Sequence, residues 1–425
     1  MGAEGTMVLS HLSVRQGDAV SYRDLCSEKR FLLLLLGQSV STTGDWLANG
    51  ALLVFAYQRT GSGLAVGAMG FSQALPGAVL GLLAGVLADR WDRRLTMIGC
   101  DVARAALAFA LATLPPLSLA FGAAAGLSLF GLLFSPAYEA TVPNLVPAQK
   151  LIAANTLEAT TRQILVLLGP ALGALVVGRW GAGMALLLDG ASFLVSAASV
   201  AASAPRGRPI VAGTQSVDLH LGRPFAEGLD FMLSRPAMRS FVIIDACRGL
   251  GIGIIIALSP VFVVRALGLP PETGGYLTSA AGAGMLAGSL LVGLLGQRWP
   301  TAWLLAGAML VNGLSHSLFA LAPDFASAAG LRVVTGLAVG VSGIARRTLL
   351  QVLVPDALRG RVFGALTSTI NLTTLIAMAA GGALVDLLGI REVFALAGLA
   401  VVAGSVMAFR MASRFALGEH GRTRA

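Results

Sequence analysis

An all-α integral membrane protein of twelve transmembrane helices in two pseudo-symmetric six-helix bundles is the fold this sequence predicts, on three observations. Hydrophobic residues make up 56% of the 425 positions and charged residues 12%, with a mean hydropathy of +0.80, beyond the range of a domain with a water-facing surface. Twelve predominantly apolar runs approach the roughly 20 residues that a helix needs to cross a bilayer. The second half also repeats the first. Gly85-Val86-Leu87-Ala88-Asp89-Arg90-Trp91 returns 208 positions later as Gly293-Leu294-Leu295-Gly296-Gln297-Arg298-Trp299, and Leu145-Val146-Pro147 returns as Leu353-Val354-Pro355. Parallel repeats of this kind build transporters whose site lies between the halves.

The first six runs cover about 31–57, 62–88, 95–113, 117–138, 159–178 and 182–203, and the second six about 240–264, 272–296, 302–321, 326–345, 360–388 and 391–413. They are too long and lack the two-residue alternation of barrel strands. The 53 glycines fit helices that must approach closely where lipid offers no hydrophobic drive for association. The chain divides into a cytoplasmic leader at 1–30, an N-terminal bundle at 31–204, a linker at 205–239, a C-terminal bundle at 240–414 and a tail at 415–425. In the linker, Phe225, Leu229, Met232 and Leu233 recur at helical spacing beside Arg223, Glu227 and Asp230, which predicts a short amphipathic helix on the membrane surface.

The net charge of +9 reports topology. Lys and Arg fall in alternate loops: Lys29 and Arg30; Arg90, Arg93 and Arg94; Lys150 and Arg162; Arg206, Arg208, Arg223, Arg235 and Arg239; Arg298; Arg346, Arg347, Arg359 and Arg361; Arg410 and Arg414. The opposite loops hold only Arg59, Arg179, Arg265 and Arg391. By the positive-inside rule both termini are cytoplasmic, and no nucleic-acid partner is expected. Cys26, Cys100 and Cys247 are far apart and the histidines stand singly, so neither a metal site nor a disulfide framework is expected. No GxxxxGK(S/T) loop occurs, no cofactor is expected, and any transport would draw on a gradient. The first run is too long for a signal-peptide core and reads as a retained span. No Ser/His, HExxH or paired-Asp constellation suggests an enzyme.

Gly85-x-x-Ala88-Asp89-Arg90-x-Asp92-Arg93-Arg94 resembles the cytoplasmic signature loop of the major facilitator superfamily. Gly169-Pro170-Ala171-Leu172-Gly173 is similar to the glycine-proline signature of that superfamily's antiporters. Leu145-Val146-Pro147 with Ala154-Asn155, and Val354-Pro355-Asp356 with Arg359-Gly360-Arg361-Val362, resemble loops of its enterobactin-exporter and macrolide-efflux branch. The resemblance covers residues 30–415 and departs where Gln297 replaces the second loop's aspartate. It implies alternating-access export of small amphipathic molecules by proton antiport, in a bacterial inner membrane, by a chain expected to act as a monomer. A dedicated carrier for one metabolite, siderophore or lysolipid, and a receptor or scaffold that does not turn over, are the competing readings.

Candidate residues follow in three groups. Gly85, Asp89, Arg90, Arg93 and Arg94 form a candidate cytoplasmic gate, with Asp101 and Arg104 read as its second members. Gly169, Pro170 and Gly173 form the antiporter-like helix motif. Ionisable residues within spans survive mainly in cavities or pairs. Asp45 lies halfway along the first span with no local partner, so it is the first candidate for proton coupling or for a cationic substrate. Asp245 is the second, with Arg248 three residues on able to neutralise it. Asp189, Glu139, Arg332 and Asp386 also lie in spans.

Overall fold

The computed structural model describes residues 25, 27–88, 91–203, 232, 234–295 and 299–422, and every regular element among them is helical. Helix α1 is Lys29–Thr60, α2 Gly63–Ala88, α3 Arg93–Ala112 and α4 Leu117–Thr141. The run Leu151–Ser203 is two helices, α5 (151–180) and α6 (182–203), broken at Gly181, whose φ of 81° and ψ of 170° end a helix that only glycine can end in this way. Helix α7 is Pro236–Leu267, α8 Gly274–Leu295, α9 Thr301–Phe319, α10 Phe325–Leu353, α11 Asp356–Leu388 and α12 Ile390–Arg422. Helices α1–α6 pack as one bundle and α7–α12 as a second, with α2 against α11 and α5 against α8 joining them.

Among the described residues ten segments are long and apolar enough to cross a membrane, and one of these, Ala153–Ser203, contains both α5 and α6. Helix α1 is not among the ten. It carries Gln38, Ser39, Ser41, Thr42, Thr43 and Asp45 within one stretch, residues 38–45, so its mean hydropathy drops beside the site. The helices overrun the apolar stretches at both ends. Helix α5 begins eight positions before its expected apolar start because its first turns, with Asn155, Thr156, Glu158, Thr161 and Arg162, are polar but helical. Helix α7 begins at Pro236, inside the expected linker, where proline suits a first turn. Met232 is buried beside Met238 and Phe241. The remainder of the amphipathic-helix expectation lies outside the described residues.

Close approach is built on glycine, most densely between α8 and α10. Gly284 and Gly288 face Val333 and Leu337, while Gly336 and Gly340 face Ala281 and Met285, and a methyl group at any of the four would overlap the opposing backbone. The two GxxxG spacings therefore interlock. Gly336→Val is expected to lower stability by about 1–3 kcal/mol, the usual size of overpacking, read as a lower thermal midpoint in detergent. Where rings do fill space, Phe262 of α7 stacks 4.3 Å from Phe319 and 4.9 Å from Phe394, tying together α9 and α12.

At the end of the molecule away from the termini the two bundles are locked. Arg265 Nη1 lies 2.9 Å from Asp386 Oδ1, its Nη2 donates to the Gly61 carbonyl at 2.8 Å, and Ser62 Oγ donates to Asp386 Oδ2 at 2.9 Å. A pair within the C-terminal bundle thus grips the α1–α2 turn of the other. The arginines of these loops act at helix ends: Arg59 donates to Leu114 O at 2.9 Å and Arg391 to Ala320 O at 2.6 Å, where carbonyls and the helix dipole favour cations. Toward the termini the bundles part. Asn155, Ala159 and Gln163 of α5 border a cavity of about 570 Å³ that Leu286 of α8 also lines.

Candidate functional site

Asp45 lies midway along α1, and α3 brings Asp101 and Arg104 one turn apart. Arg104 is 4% exposed and Asp101 is fully buried. Arg104 Nη2 donates to Asp101 Oδ1, and its Nη1 lies 4.0 Å from Asp45 Oδ1. Its guanidinium also lies over the rings of Phe193 at 4.2 Å and Phe134 at 4.9 Å, a placement that compensates a cation where water is scarce. The expectation that Asp45 lacks a partner is therefore corrected: its partner comes from α3, 59 positions along the chain. Asp101 and Arg104 join this interior cluster. Any link from them to Asp89 lies outside the described residues.

Two cavities meet at the cluster. One, of about 270 Å³, runs toward the terminal end between α1, α4 and α5, past Gln38, Thr42, Phe134, Tyr138, Glu139, Glu158 and Arg162. The other, of about 260 Å³, runs the opposite way inside the bundle, past Asn49, Leu52, Gln73, Ser128 and Asp189. Asp45, Arg104 and Gly131 line both. The side chain of Asp45 is 41% exposed while that of Arg104 is 5% exposed, so the carboxylate faces open space and its counterion does not. In the first cavity Arg162 is held by Glu158 at 2.9 Å, whereas Glu139 is met by the Ser135 hydroxyl at 3.3 Å. The Tyr138 hydroxyl is buried without a partner.

In the other bundle Asp245 of α7 is fully buried, and its main partner is not the expected Arg248. Arg346 of α10 grips it with both arms of the guanidinium, Nε to Oδ1 at 2.7 Å and Nη2 to Oδ2, while Arg248 Nη1 stands 3.8 Å from Oδ1. Helical spacing showed the nearer candidate; the stronger one was visible in the sequence only as a loop arginine. Elsewhere in this bundle His316 Nδ1 lies 3.0 Å from Asn312 Oδ1, and Arg332 lies 6.0 Å over the Phe319 ring.

Of the expected gate, Asp89 and Arg90 lie outside the described residues, and Gly85 falls in the last turns of α2. Arg93 donates to Ala140 O at 3.0 Å and Arg94 to Ala201 O, so both hold carbonyls at helix ends of their own bundle. Asp92 caps α3 by accepting from Leu95 N at 2.9 Å. The glycine-proline motif lies where α5 meets both α1 and α8. A Cβ at Gly169 would come within 2.6 Å of the Trp46 ring, and one at Gly173 within 3.3 Å of the Trp46 carbonyl. Beyond Pro170, the Ala171 N–H donates to Ser279 Oγ of α8 at 2.9 Å. The motif thus seats the helix next to Asp45 and touches the opposite bundle.

The family profile described as transmembrane secretion effector matches residues 25–420. The chain is 29% identical over 391 residues to the MFS-type transporter YfiS of Bacillus subtilis, covering 88% of this chain and 91% of that one. It is 24% identical over 380 residues to macrolide efflux protein A of Streptococcus pyogenes, covering 88% and 93%, and 25% identical over 399 residues to the multidrug efflux pump Tap of Mycobacterium bovis, covering 89% and 92%. Among solved structures, the nucleoside transporter NupG superposes with a TM-score of 0.73 at 15% identity over 91% of this chain and 99% of that one. A bacterial homologue of the iron transporter ferroportin in an inward-facing state gives 0.69 at 16% identity over 91% and 99%. The chain is a multi-pass membrane transporter, not an enzyme, and belongs to the transmembrane secretion effector family of the major facilitator superfamily.

Proposed function

We propose that the protein is a proton-coupled exporter of small amphipathic molecules, working by alternating access in a bacterial inner membrane with both termini in the cytoplasm. The observation that carries the coupling is Asp45: a carboxylate on the wall of an open cavity whose nearest cation, Arg104 at 4.0 Å, is shared with Asp101. Protonation of Asp45 leaves Arg104 to Asp101 alone, and deprotonation draws it back, so proton binding changes the charge presented to the cavity without stranding a buried cation. Phe134 and Tyr138 line the cavity together with Asp45 and Glu139, a mixed apolar and acidic lining suited to amphipathic molecules that carry an amine. The efflux names of macrolide efflux protein A and Tap favour the outward direction. With the termini cytoplasmic, bundles locked at the far end and parted near the termini correspond to an inward-facing state.

Accumulation of ethidium and of erythromycin in efflux-deficient cells tests this reading. Wild type is expected to lower accumulation, and either a protonophore or Asp45→Asn to abolish the effect at equal expression. Export that survives both would remove Asp45 and the proton from the mechanism; failure to export either compound would favour a dedicated carrier.

A further inference from the structure

The inner of the two cavities holds a carboxyl that the coupling described so far does not use. Asp189 of α6 is 1% exposed, and neither of its carboxyl oxygens has a hydrogen-bond partner. It lines the chamber of about 260 Å³ together with Asp45, Arg104, Asn49 and Gln73. The groups that face it are few. Helix α1 supplies Asp45, α3 supplies Arg104, which also holds Asp101, α2 supplies the neutral Gln73, and α4 supplies Ser128 but no charge. Three carboxyl groups, Asp45, Asp101 and Asp189, therefore share one guanidinium. Arg104 donates to Asp101 and reaches toward Asp45, and it makes no hydrogen bond to Asp189. An unpaired carboxylate with no donor in a membrane interior is too costly to persist, so the cluster must hold at least one proton, and the group without a donor is its natural seat.

Position gives this proton a use. Asp45 and Arg104 border both cavities, whereas Asp189 borders only the chamber on the side away from the termini. We infer that Asp189 is a second proton-holding residue of the coupling path, placed on the far side of the Asp45–Arg104 pair, and that the two carboxyl groups exchange one proton through the chamber. In that step the O–H bond of Asp189 breaks as an O–H bond to Asp45 forms, leaving a carboxylate at Asp189 and a carboxyl at Asp45. No net charge is created. Arg104 keeps Asp101 throughout, and the carboxylate at Asp45 is replaced by one at Asp189 in the same chamber. This inference rests on the proton-coupled reading above and extends it from one carboxyl group to two.

The test uses the purified full chain. Infrared spectra of the substrate-free protein at neutral pH are expected to show a protonated-carboxyl C=O band that shifts on deuteration, weakens in Asp189→Asn and returns in Asp189→Glu. Asparagine is nearly isosteric with a protonated aspartate, so Asp189→Asn is expected to keep the wild-type thermal midpoint. In proteoliposomes with ethidium as the probe, the ratio of proton-driven uptake to equilibrium exchange is expected to fall about a hundredfold in Asp189→Asn, the size of effect lost with a positioned proton carrier. A carboxyl band unchanged in Asp189→Asn overturns the proposal, as does an unchanged coupling ratio. The infrared result needs no substrate, so it judges Asp189 even where wild type fails to move ethidium, a failure that would count against the exporter reading instead.

Discussion

Replacing Arg104 with alanine is expected to leave little folded protein in the membrane, the largest stability effect of any single change at the site. Among the described residues the guanidinium is the only cation paired with Asp101, which is fully buried, and it also faces Asp45. Removing one partner of a buried pair costs about 3–5 kcal/mol, because the remaining charge keeps its desolvation penalty and loses its compensation. Contact with the rings of Phe193 and Phe134 adds up to about 2 kcal/mol when desolvated. Against the total of about 5–15 kcal/mol typical of a folded domain, that is a large share. The measurement is the yield and thermal midpoint of detergent-extracted protein. Arg104→Lys keeps the charge but loses the planar fork, so it is expected to fall between wild type and alanine. Adding Asp101→Asn to Arg104→Ala is expected to recover much of the loss, since the double variant no longer buries an unpaired charge. An Arg104→Ala protein as stable as wild type would show that the pair is not closed off from water.

The same cluster shows what a sequence can and cannot disclose. The apolar runs were legible as helices because lipid permits only long, internally hydrogen-bonded segments, although α1 is too polar to count among the ten apolar spans, and the α5–α6 break falls at Gly181. The polar first turns of α5 were not legible, because hydropathy sees apolar length and not helicity. For the site, pairs three apart on one helix could be read directly: Asp101 with Arg104 and Asp245 with Arg248 both fall within ion-pair reach. Pairs between helices could not. Asp45 meets Arg104 across 59 positions and Asp245 meets Arg346 across 101, separations that no periodicity encodes. Arg346 lies in the last two turns of α10, where a loop charge and a buried ion-pair partner look the same in sequence. Asp189 was visible as a carboxyl in an apolar run, but its lack of any donor is a property of the packing of α1, α3 and α6.

The second large effect separates the helical neighbour from the distant partner. Asp245 is fully buried and holds two guanidinium groups, Arg346 in a two-armed grip beginning at 2.7 Å and Arg248 at 3.8 Å. Paired N–H···O bonds to a carboxylate are stronger and more directional than a single longer contact. Asp245→Ala is therefore expected to cost most, about 3–5 kcal/mol, since it leaves two poorly solvated cations facing each other. Arg346→Ala is expected to cost less, because Arg248 stands close enough to take over part of the carboxylate's compensation. Arg248→Ala is expected to cost least, about 1 kcal/mol, since the two-armed bond survives it. Thermal midpoints of the three variants in detergent give the order. Arg346→Ala should also loosen α7 from α10, which a cysteine pair placed across those helices would report as slower cross-linking. An Arg248→Ala variant as damaged as Arg346→Ala would return the main ionic contact of Asp245 to its own helix. In the expected order, this carboxylate serves chiefly to fix α10 against α7 within one bundle, in contrast to Asp45, which faces its cavity and meets its cation only at 4.0 Å.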